Sequence, residues 1–172
     1  MTGSGSLPTP HPDPADAVGP VGTAGPAEAV RRTVIVSGVA SDSHTWNLIY
    51  LQMLVEELGY DVVNLGACVP DDLLVRECQA RRPDLVVLSS VNGHGYQDGL
   101  RVVEKLRAIP ALGETPIVIG GKLGVRGAES QERVGRLLAA GFDAVFDDRA
   151  DAVVAFRGFA AVLPGRAVGG LL

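Results

Sequence analysis

The sequence has few of the residues that mark several common protein classes. Its 172 residues include only two cysteines, Cys68 and Cys78, too few for a disulfide framework or a cysteine-built zinc site. Aromatic residues make up 5% of the chain, which favours a helix-covered parallel sheet over an all-β sandwich. We therefore expect a reducing, cytoplasmic location, with Cys68 as a small loop residue and Cys78 as a helix-packing residue.

Basic charge and long apolar runs are also scarce. The formal net charge is −5, so we expect no nucleic-acid partner, because phosphate binding needs clustered Lys and Arg. No apolar run approaches the roughly 20 residues that a membrane span needs, so we expect no membrane association. The N-terminus has no basic segment followed by an apolar stretch, so no secretory signal is expected.

The chain divides into a tail and a folded part. Residues 1–30 are rich in Pro, Gly, Ala and Ser and lack sustained apolar periodicity. Such a segment buries too little apolar area to offset the entropy of ordering it, so we predict a disordered tail. We expect one folded domain over residues 31–164 and a short C-terminal tail at 165–172.

From Thr33 onward, short apolar runs alternate with amphipathic segments. The alternation predicts an α/β fold, a flavodoxin-like (Rossmann-like) doubly wound sheet of five parallel strands in the order 2-1-3-4-5. Ligands of such sheets bind at the carboxyl ends of the strands, near the point where the chain reverses direction. The predicted strands are Thr33–Val39, Asp61–Leu65, Asp84–Ser90, Pro116–Gly120 and Asp143–Phe146. The predicted helices are Leu48–Leu58, Asp71–Arg81, Leu100–Ile109, Gln131–Ala140 and Ala150–Leu163.

Three loops at this predicted edge hold most of the small, hydroxylic and imidazole side chains of the folded part. They are Ser41–Asn47, Ser89–Gly95 and Gly120–Gly124. Asp42 stands two residues before His44, and a carboxylate at that spacing could orient a metal-ligating imidazole. One imidazole and one carboxylate are too few for a free ion, so a metal bound there would take most of its ligands from a cofactor. The alternative is an ordinary loop histidine that faces water or caps a helix.

Other ligand-binding patterns fit these loops less well. Gly120-Gly121-Lys122-Leu123 is not a Walker A loop, because a leucine follows the lysine. Phospho-receiver domains carry an aspartate at the end of strand 3, where this chain has Ser89 and Ser90. A flavin carrier stays open, because hydroxyl groups of the first loop could bind a phosphate and Trp46 or Tyr96 could stack on a flavin.

Taken together, the three loops resemble those of the small, cobalamin-binding subunit of glutamate mutase (methylaspartate mutase) and of B12-binding domains more broadly. That family carries Asp-x-His-x-x-Gly, Ser-x-Leu and Gly-Gly after strands 1, 3 and 4. This chain has Asp42-Ser43-His44-Thr45-Trp46-Asn47, Ser89-Ser90-Val91 and Gly120-Gly121, and the similarity spans about Thr33–Phe146. Asn47 stands where the family has glycine, and Val91 where it has leucine.

The resemblance implies roles for the residues of the first loop. His44 would be the lower ligand of the cobalt, in place of the cofactor's own dimethylbenzimidazole. Asp42 would hydrogen-bond the other imidazole nitrogen. Ser41, Ser43 and Thr45 would line the lower face of the corrin.

The resemblance implies further contacts in the other two loops. Ser89, Ser90 and Val91 would contact the displaced nucleotide tail, and Gly120 and Gly121 would let the tail approach the backbone. The residues that would flank the tail or the corrin rim are Lys122, Leu123, Gly124, Val125 and Arg126.

Two residues of these loops need separate interpretation. Asparagine tolerates a left-handed backbone better than other non-glycine residues, so Asn47 would keep the loop shape or else narrow the channel for the tail. The family motif does not require a histidine at position 94, and we interpret His94 as a solvated loop residue.

The resemblance also implies adenosylcobalamin as cofactor and a two-component enzyme. The complete enzyme would rearrange a carbon skeleton by radical chemistry, interconverting L-glutamate and threo-3-methylaspartate. The catalytic residues would lie on a separate large, barrel-type subunit, because 172 residues hold no barrel beside this domain. The alternatives are a corrinoid carrier for methyl transfer and a B12 sensor or chaperone module, which usually have a helical cap and an output domain, respectively.

Overall fold

In a computed structural model of the protein, which describes residues 32–124, 128–148 and 150–163, strands and helices alternate along the chain. The strands are β1 (Thr33–Gly38), β2 (Asp61–Asn64), β3 (Leu85–Ser90), β4 (Ile117–Gly121) and β5 (Ala144–Asp147). The α-helices are α1 (Trp46–Glu57), α2 (Asp71–Arg81), α3 (Gly95–Arg107), α4 (Ala128–Ala140) and α5 (Ala152–Ala161). A short 3₁₀ helix, Pro110–Leu112, precedes β4.

The strands form one parallel sheet in the order β2-β1-β3-β4-β5, so the predicted flavodoxin-like fold is confirmed. The register pairs Gly38 with Ser89 and Ser89 with Gly120. The carboxyl ends of β1, β3 and β4 are therefore level with one another. This alignment brings the loops after these three strands to one edge of the sheet.

Apolar side chains cover both faces of the sheet, which explains why the strands appear as nearly continuous apolar runs in the sequence. On one face, α1 and α5 pack over β-strand residues such as Val36 and Val87. On the other face, α2, α3 and α4 cover residues such as Ile35 and Ile119. The doubly wound arrangement follows from these two apolar layers.

Helix α3 begins at Gly95, five residues before the predicted start at Leu100. Its first turn lies too close to the sheet for larger residues: a Cβ at Gly95 would lie 2.7 Å from the Ser90 Cβ, and one at Gly99 would lie 2.9 Å from the Ile119 Cδ1. Because these contacts use glycine instead of large apolar side chains, the start of the helix adds little to the apolar periodicity.

The ends of the chain lie outside this description. The tails predicted at 1–30 and 165–172 fall outside the described residues. In the part that the structure describes, no helix has both the length and the apolar character to cross a bilayer.

Candidate functional site

The centre of the candidate site is a hydrogen-bonded pair, Asp42 and His44, in the loop after β1. Asp42 is 1% exposed, and its Oδ1 accepts a hydrogen bond from the His44 backbone N–H at 3.0 Å and lies 2.7 Å from the His44 Nδ1. The His44 side chain is 48% exposed. A carboxylate at Nδ1 favours the tautomer with its proton there, which leaves the Nε2 lone pair available to a ligand.

Backbone groups from the loop after β3 hold the other oxygen of the same carboxylate. Asp42 Oδ2 accepts hydrogen bonds from the Val91 and Asn92 N–H groups at 2.5 and 3.3 Å. Burial raises the pKa of Asp42, but these bonds and those from His44 outweigh it and bring the pKa below its ordinary value. Asp42 is therefore ionised at neutral pH, and the imidazole orientation is set before any ligand arrives.

Asn92 also ties the loop after β1 to the loop after β3. Its Nδ2 donates to the Ser41 carbonyl oxygen at 2.8 Å and lies 3.1 Å from the Ser41 Oγ. Its Oδ1 accepts from the Ser90 Oγ at 3.0 Å and from the His94 N–H at 2.9 Å. Sequence reasoning missed Asn92, and the only local signal for it was its position in an Asn-Gly turn.

A chain of charged groups continues from the site toward α2 and α3. The Ser41 Oγ donates to Asp98 at 2.5 Å, and Arg101 pairs with Asp98 at 2.7 Å and with Asp71 at 2.6 Å. Hydrogen bonding to Arg101 lowers the pKa of Asp71. Burial raises the pKa of Asp98, but the bonds from Ser41 and Arg101 outweigh it and lower that pKa. The loop after β1 is thereby anchored to two helices.

Two glycines end β4 beside the buried serines of β3. Gly121 has a φ of +104°, and a Cβ there would lie 2.1 Å from the Ser90 carbonyl oxygen, so only glycine fits. A Cβ at Gly120 would lie 3.0 Å from the Phe146 carbonyl oxygen. Ser89 and Ser90 are both buried. Because Gly120 and Gly121 have no side chains, no side chain of theirs covers the backbone at this edge.

A cavity of about 290 Å³ opens between the carboxyl ends of β3, β4 and β5 and the helices α1 and α5. Asn47, the second residue of α1, lines it. The Asn47 Nδ2 donates to the Ser89 Oγ at 2.8 Å, while its Oδ1 is buried and has no hydrogen-bond partner in the part of the chain that the structure describes. Asn47 lies in a helical turn, so the left-handed backbone considered for it is not used.

The remaining predicted site residues lie around this centre. Ser43 and Thr45 are exposed beside His44, and Val91 is half-buried. Lys122 and Gly124 are exposed and Leu123 is 9% exposed, at the border of a second, open cavity of about 910 Å³ beside α4. Val125 and Arg126 fall outside the described residues.

The other polar residues singled out from the sequence are placed as follows. His94 is exposed, as interpreted. Cys78 is buried in α2, and burial raises the pKa of its thiol to about 12, while Cys68 is an exposed loop residue. Among the described residues, no group of three or more His, Cys, Asp or Glu side chains is arranged to hold a metal ion.

Residues 32–157 match the family model described as the B12 binding domain. Curated relatives include the glutamate mutase sigma subunit 1 of Haloarcula marismortui, 30% identical over 70% of this chain and 78% of the relative. The sigma subunit of Halobacterium salinarum is 31% identical over 66% of this chain and 75% of the relative. The sigma subunit of Fusobacterium nucleatum is 27% identical over 67% of this chain and 85% of the relative. These similarities confirm the resemblance drawn from the three loops.

Solved structures with the same fold include a cobalamin-binding protein from Desulfitobacterium hafniense, with a TM-score of 0.60 and 24% identity over 76% of this chain and 60% of that one. The methanol:cobalamin methyltransferase complex MtaBC from Methanosarcina barkeri gives a TM-score of 0.57 at 20% identity, over 76% of this chain and 47% of that one. The chemotaxis response regulator CheY4 of Vibrio cholerae gives a TM-score of 0.56 at 14% identity, over 76% of this chain and 98% of that one. At these identities the likeness concerns the fold alone.

Proposed function

Because the chain belongs to the B12-binding domain family, we propose that it is the cobalamin-binding subunit of an adenosylcobalamin-dependent carbon-skeleton mutase. Its likeness to glutamate mutase sigma subunits favours L-glutamate and threo-3-methylaspartate as the interconverted pair. The observation that carries the proposal is the Asp42–His44 pair, an imidazole whose Nδ1 is held by a buried carboxylate.

The residues present fit a cobalamin. A corrin supplies most of the cobalt ligands itself, so a single protein imidazole would be enough to hold the metal. Beside the imidazole, the structure has a small cavity and a glycine edge, and a ligand at that edge could approach the Gly121 backbone closely. When bound, adenosylcobalamin supplies the radical chemistry, and the protein supplies binding and orientation.

In the proposed complex, His44 would hold the cobalt through its imidazole, and Asp42 would fix the orientation of the ring. Ser43 and Thr45, which are exposed beside it, face the corrin. Ser41 contributes indirectly, by holding the loop after β1 in place, because its hydroxyl already donates a hydrogen bond to Asp98.

The nucleotide tail would occupy the cavity of about 290 Å³, whose lining includes Ser89, Val91, Gly120 and Gly121. Ser90 acts by holding Asn92, to which its hydroxyl donates. The proposed flanking residues are Lys122, Leu123, Gly124, Val125 and Arg126.

Helix α1 supports the proposal of a heteromer. Leu48 and Leu54 of its inner face are buried, yet its outer face is also apolar. A helix that is apolar all round is normally covered on both sides. Because α1 begins two residues after His44, we propose that the large, barrel-type catalytic subunit covers this outer face. Its exposed members are Trp46, Ile49, Tyr50 and Met53. A cytoplasmic location, without nucleic-acid or membrane partners, is part of the same proposal.

Electron paramagnetic resonance of the cob(II)alamin-loaded protein with its large subunit tests the cobalt ligand. Protein labelled with ¹⁵N-histidine should show hyperfine splitting from a ¹⁵N nucleus in place of ¹⁴N, because the nitrogen that splits the signal would come from the protein and not from the cofactor. The ¹⁵N splitting should disappear in His44→Ala.

The matched control is His94→Ala, which removes an exposed histidine of a neighbouring loop and should leave the spectrum unchanged. A ¹⁴N splitting in labelled wild-type protein would refute ligation by His44. Mutase turnover should require both subunits, and full turnover by this chain alone would refute the two-component proposal.

A further inference from the structure

Both polar atoms of the Asn92 side chain are hydrogen-bonded, and together they join the loops after β1 and β3. The Nδ2 donates to the Ser41 carbonyl oxygen at 2.8 Å and lies 3.1 Å from the Ser41 Oγ. The Oδ1 accepts from the Ser90 Oγ at 3.0 Å and from the His94 N–H at 2.9 Å. Because a backbone N–H can only donate, the amide oxygen must face His94 and the amide nitrogen must face Ser41. The orientation of the Asn92 amide is therefore set by its neighbours.

These contacts hold Asp42, the residue that orients the His44 ring, from two sides. The Ser41 carbonyl belongs to the peptide group that leads into Asp42, so Asn92 fixes the main chain from which the carboxylate projects. On the other side, the Asn92 N–H donates to Asp42 Oδ2 at 3.3 Å, beside the N–H of Val91. The other carboxylate oxygen, Oδ1, is thereby directed to the His44 Nδ1, 2.7 Å away.

The hydroxyl group of Ser41 keeps Asn92 in this position. It donates to the Asp98 carboxylate, so its lone pairs are left to accept from the Asn92 Nδ2. Arg101, which also lies on α3, binds the other oxygen of Asp98 at 2.7 Å. The contact between Ser41 and Asn92 is thus anchored to a helix, and its geometry does not depend on a bound ligand.

We propose that Asn92 is a positioning residue for His44. Its side chain holds Asp42 in place, and Asp42 in turn keeps the imidazole in the form whose Nε2 can bind a metal. This inference rests on the proposed function, in which His44 would hold the cobalt. A purely structural Asn92 would contribute to stability and leave the state of the His44 ring unchanged.

The first test is the tautomer of the His44 ring in the full chain without cofactor. Long-range ¹H–¹⁵N correlation spectra of ¹⁵N-histidine-labelled protein give the ratio of the Nδ1–H form to the Nε2–H form. They are recorded at about pH 9, where an ordinary imidazole is neutral, and His44→Ala identifies the signal. Asn92→Ala should lower the ratio by about fivefold, the size expected for one neutral hydrogen bond.

Two further variants make this measurement specific. Ser90→Ala removes only the hydrogen bond to the Asn92 Oδ1, so it should lower the ratio less, and it provides the measurement even if Asn92→Ala does not fold. The matched control is Tyr60→Phe, which removes a buried hydrogen bond to the Ala160 carbonyl oxygen just before β2, at the amino ends of the strands. Tyr60→Phe should lower the stability without changing the ratio.

The second test is an electron paramagnetic resonance titration of cob(II)alamin into the complex of this chain with its large subunit. Half of the maximal ¹⁵N-histidine splitting should require about tenfold more cobalamin in Asn92→Ala than in the wild type, the lower end of the effect of losing a residue that orients a metal ligand. Tyr60→Phe should match the wild type.

The inference is overturned if the folded Asn92 and Ser90 variants keep the wild-type ratio of tautomers, or if Tyr60→Phe changes that ratio equally. An unchanged cobalamin requirement in Asn92→Ala would also overturn it. Failure of the proposed function looks different: the ratio would fall in the variants as expected, but the wild-type complex would show no ¹⁵N splitting with cob(II)alamin.

Discussion

Two regions of the candidate site, the Asp42–His44 pair and the cavity beside Asn47, differ in how fully their polar atoms are paired. Both Asp42 oxygens accept hydrogen bonds from the protein, and the acceptor at Nδ1 orients the His44 ring. At Asn47, one end of the amide is hydrogen-bonded, and the other is buried without a partner among residues 32–124, 128–148 and 150–163. The Asp42–His44 side of the site is organised by the chain itself, whereas on the cavity side one polar atom has no partner among the described residues.

The largest expected effect comes from the glycine edge beneath the cavity. Gly121→Ala places a Cβ against the Ser90 carbonyl oxygen at a positive φ, so we expect a loss of about 3 kcal/mol or more in the free energy of unfolding. Gly93→Ala is the matched control, because Gly93 also has a positive φ but open space around it, and should cost only about 1–2 kcal/mol. Urea denaturation measures both, and equal losses would contradict the close contact at Gly121.

Removal of the carboxylate tests the paired region. Asp42→Ala leaves the Val91 and His44 N–H groups without their acceptor, so we expect it to lower the free energy of unfolding by about 2–3 kcal/mol. Asp84→Ala is the control at the opposite end of the sheet, where the carboxylate accepts from the Thr33 N–H, and should cost about 1 kcal/mol. If the two variants unfold at the same urea concentration, Asp42 does not organise the loop.

The charged groups behind the site make stability depend on pH. The folded-state pKa values of Asp71 and Asp98 are lowered, so their stabilisation is present above the unfolded value of about 3.9 and is lost as the pH falls through the folded values. Arg101→Leu should therefore lower the free energy of unfolding by about 1 kcal/mol at pH 7 and reduce its loss in acid. Denaturation between pH 3 and pH 7 measures both effects.

The control for this change is Arg136→Leu, which breaks the exposed Arg136–Glu132 pair on α4 and should not alter the acid dependence. An Arg101→Leu profile parallel to that of the wild type would show that other groups cause the acid sensitivity.

The smallest expected effect comes from the unpaired amide. Asn47→Leu loses the bond to Ser89 but removes a buried carbonyl that no described residue hydrogen-bonds, so the free energy of unfolding should stay unchanged or rise by up to about 1 kcal/mol. Asn64→Leu is the matched asparagine control. Both ends of the Asn64 amide are paired, with Gln52 and with the Gly66 N–H, so its loss should cost about 1–2 kcal/mol. If Asn47→Leu and Asn64→Leu lower the free energy of unfolding by similar amounts, the two regions do not differ in how fully their polar atoms are paired.

The strand pattern was predictable because the strands of a doubly wound sheet are covered on both faces and therefore appear as apolar runs. The start of α3 was not predicted, since its first turn packs through glycines instead of large apolar residues. The loops after β1, β3 and β4 were correctly expected at one edge, because parallel strands align their carboxyl ends. Asn92 and Asp98 were missed as site residues because their partners lie on other elements.

The sequence by itself determined the order of strands and helices and the pairing of Asp42 with His44. That pair is two residues apart, so chain connectivity brings the groups together. Only the tertiary structure decided which backbone groups bind the second Asp42 oxygen and that the Asn47 oxygen has no partner in the described part of the chain. The donors Val91 and Asn92 lie 49 and 50 residues from Asp42, and they reach it because the register of β1 against β3 sets Gly38 beside Ser89. Contacts over such separations depend on strand register and packing, which no local pattern specifies.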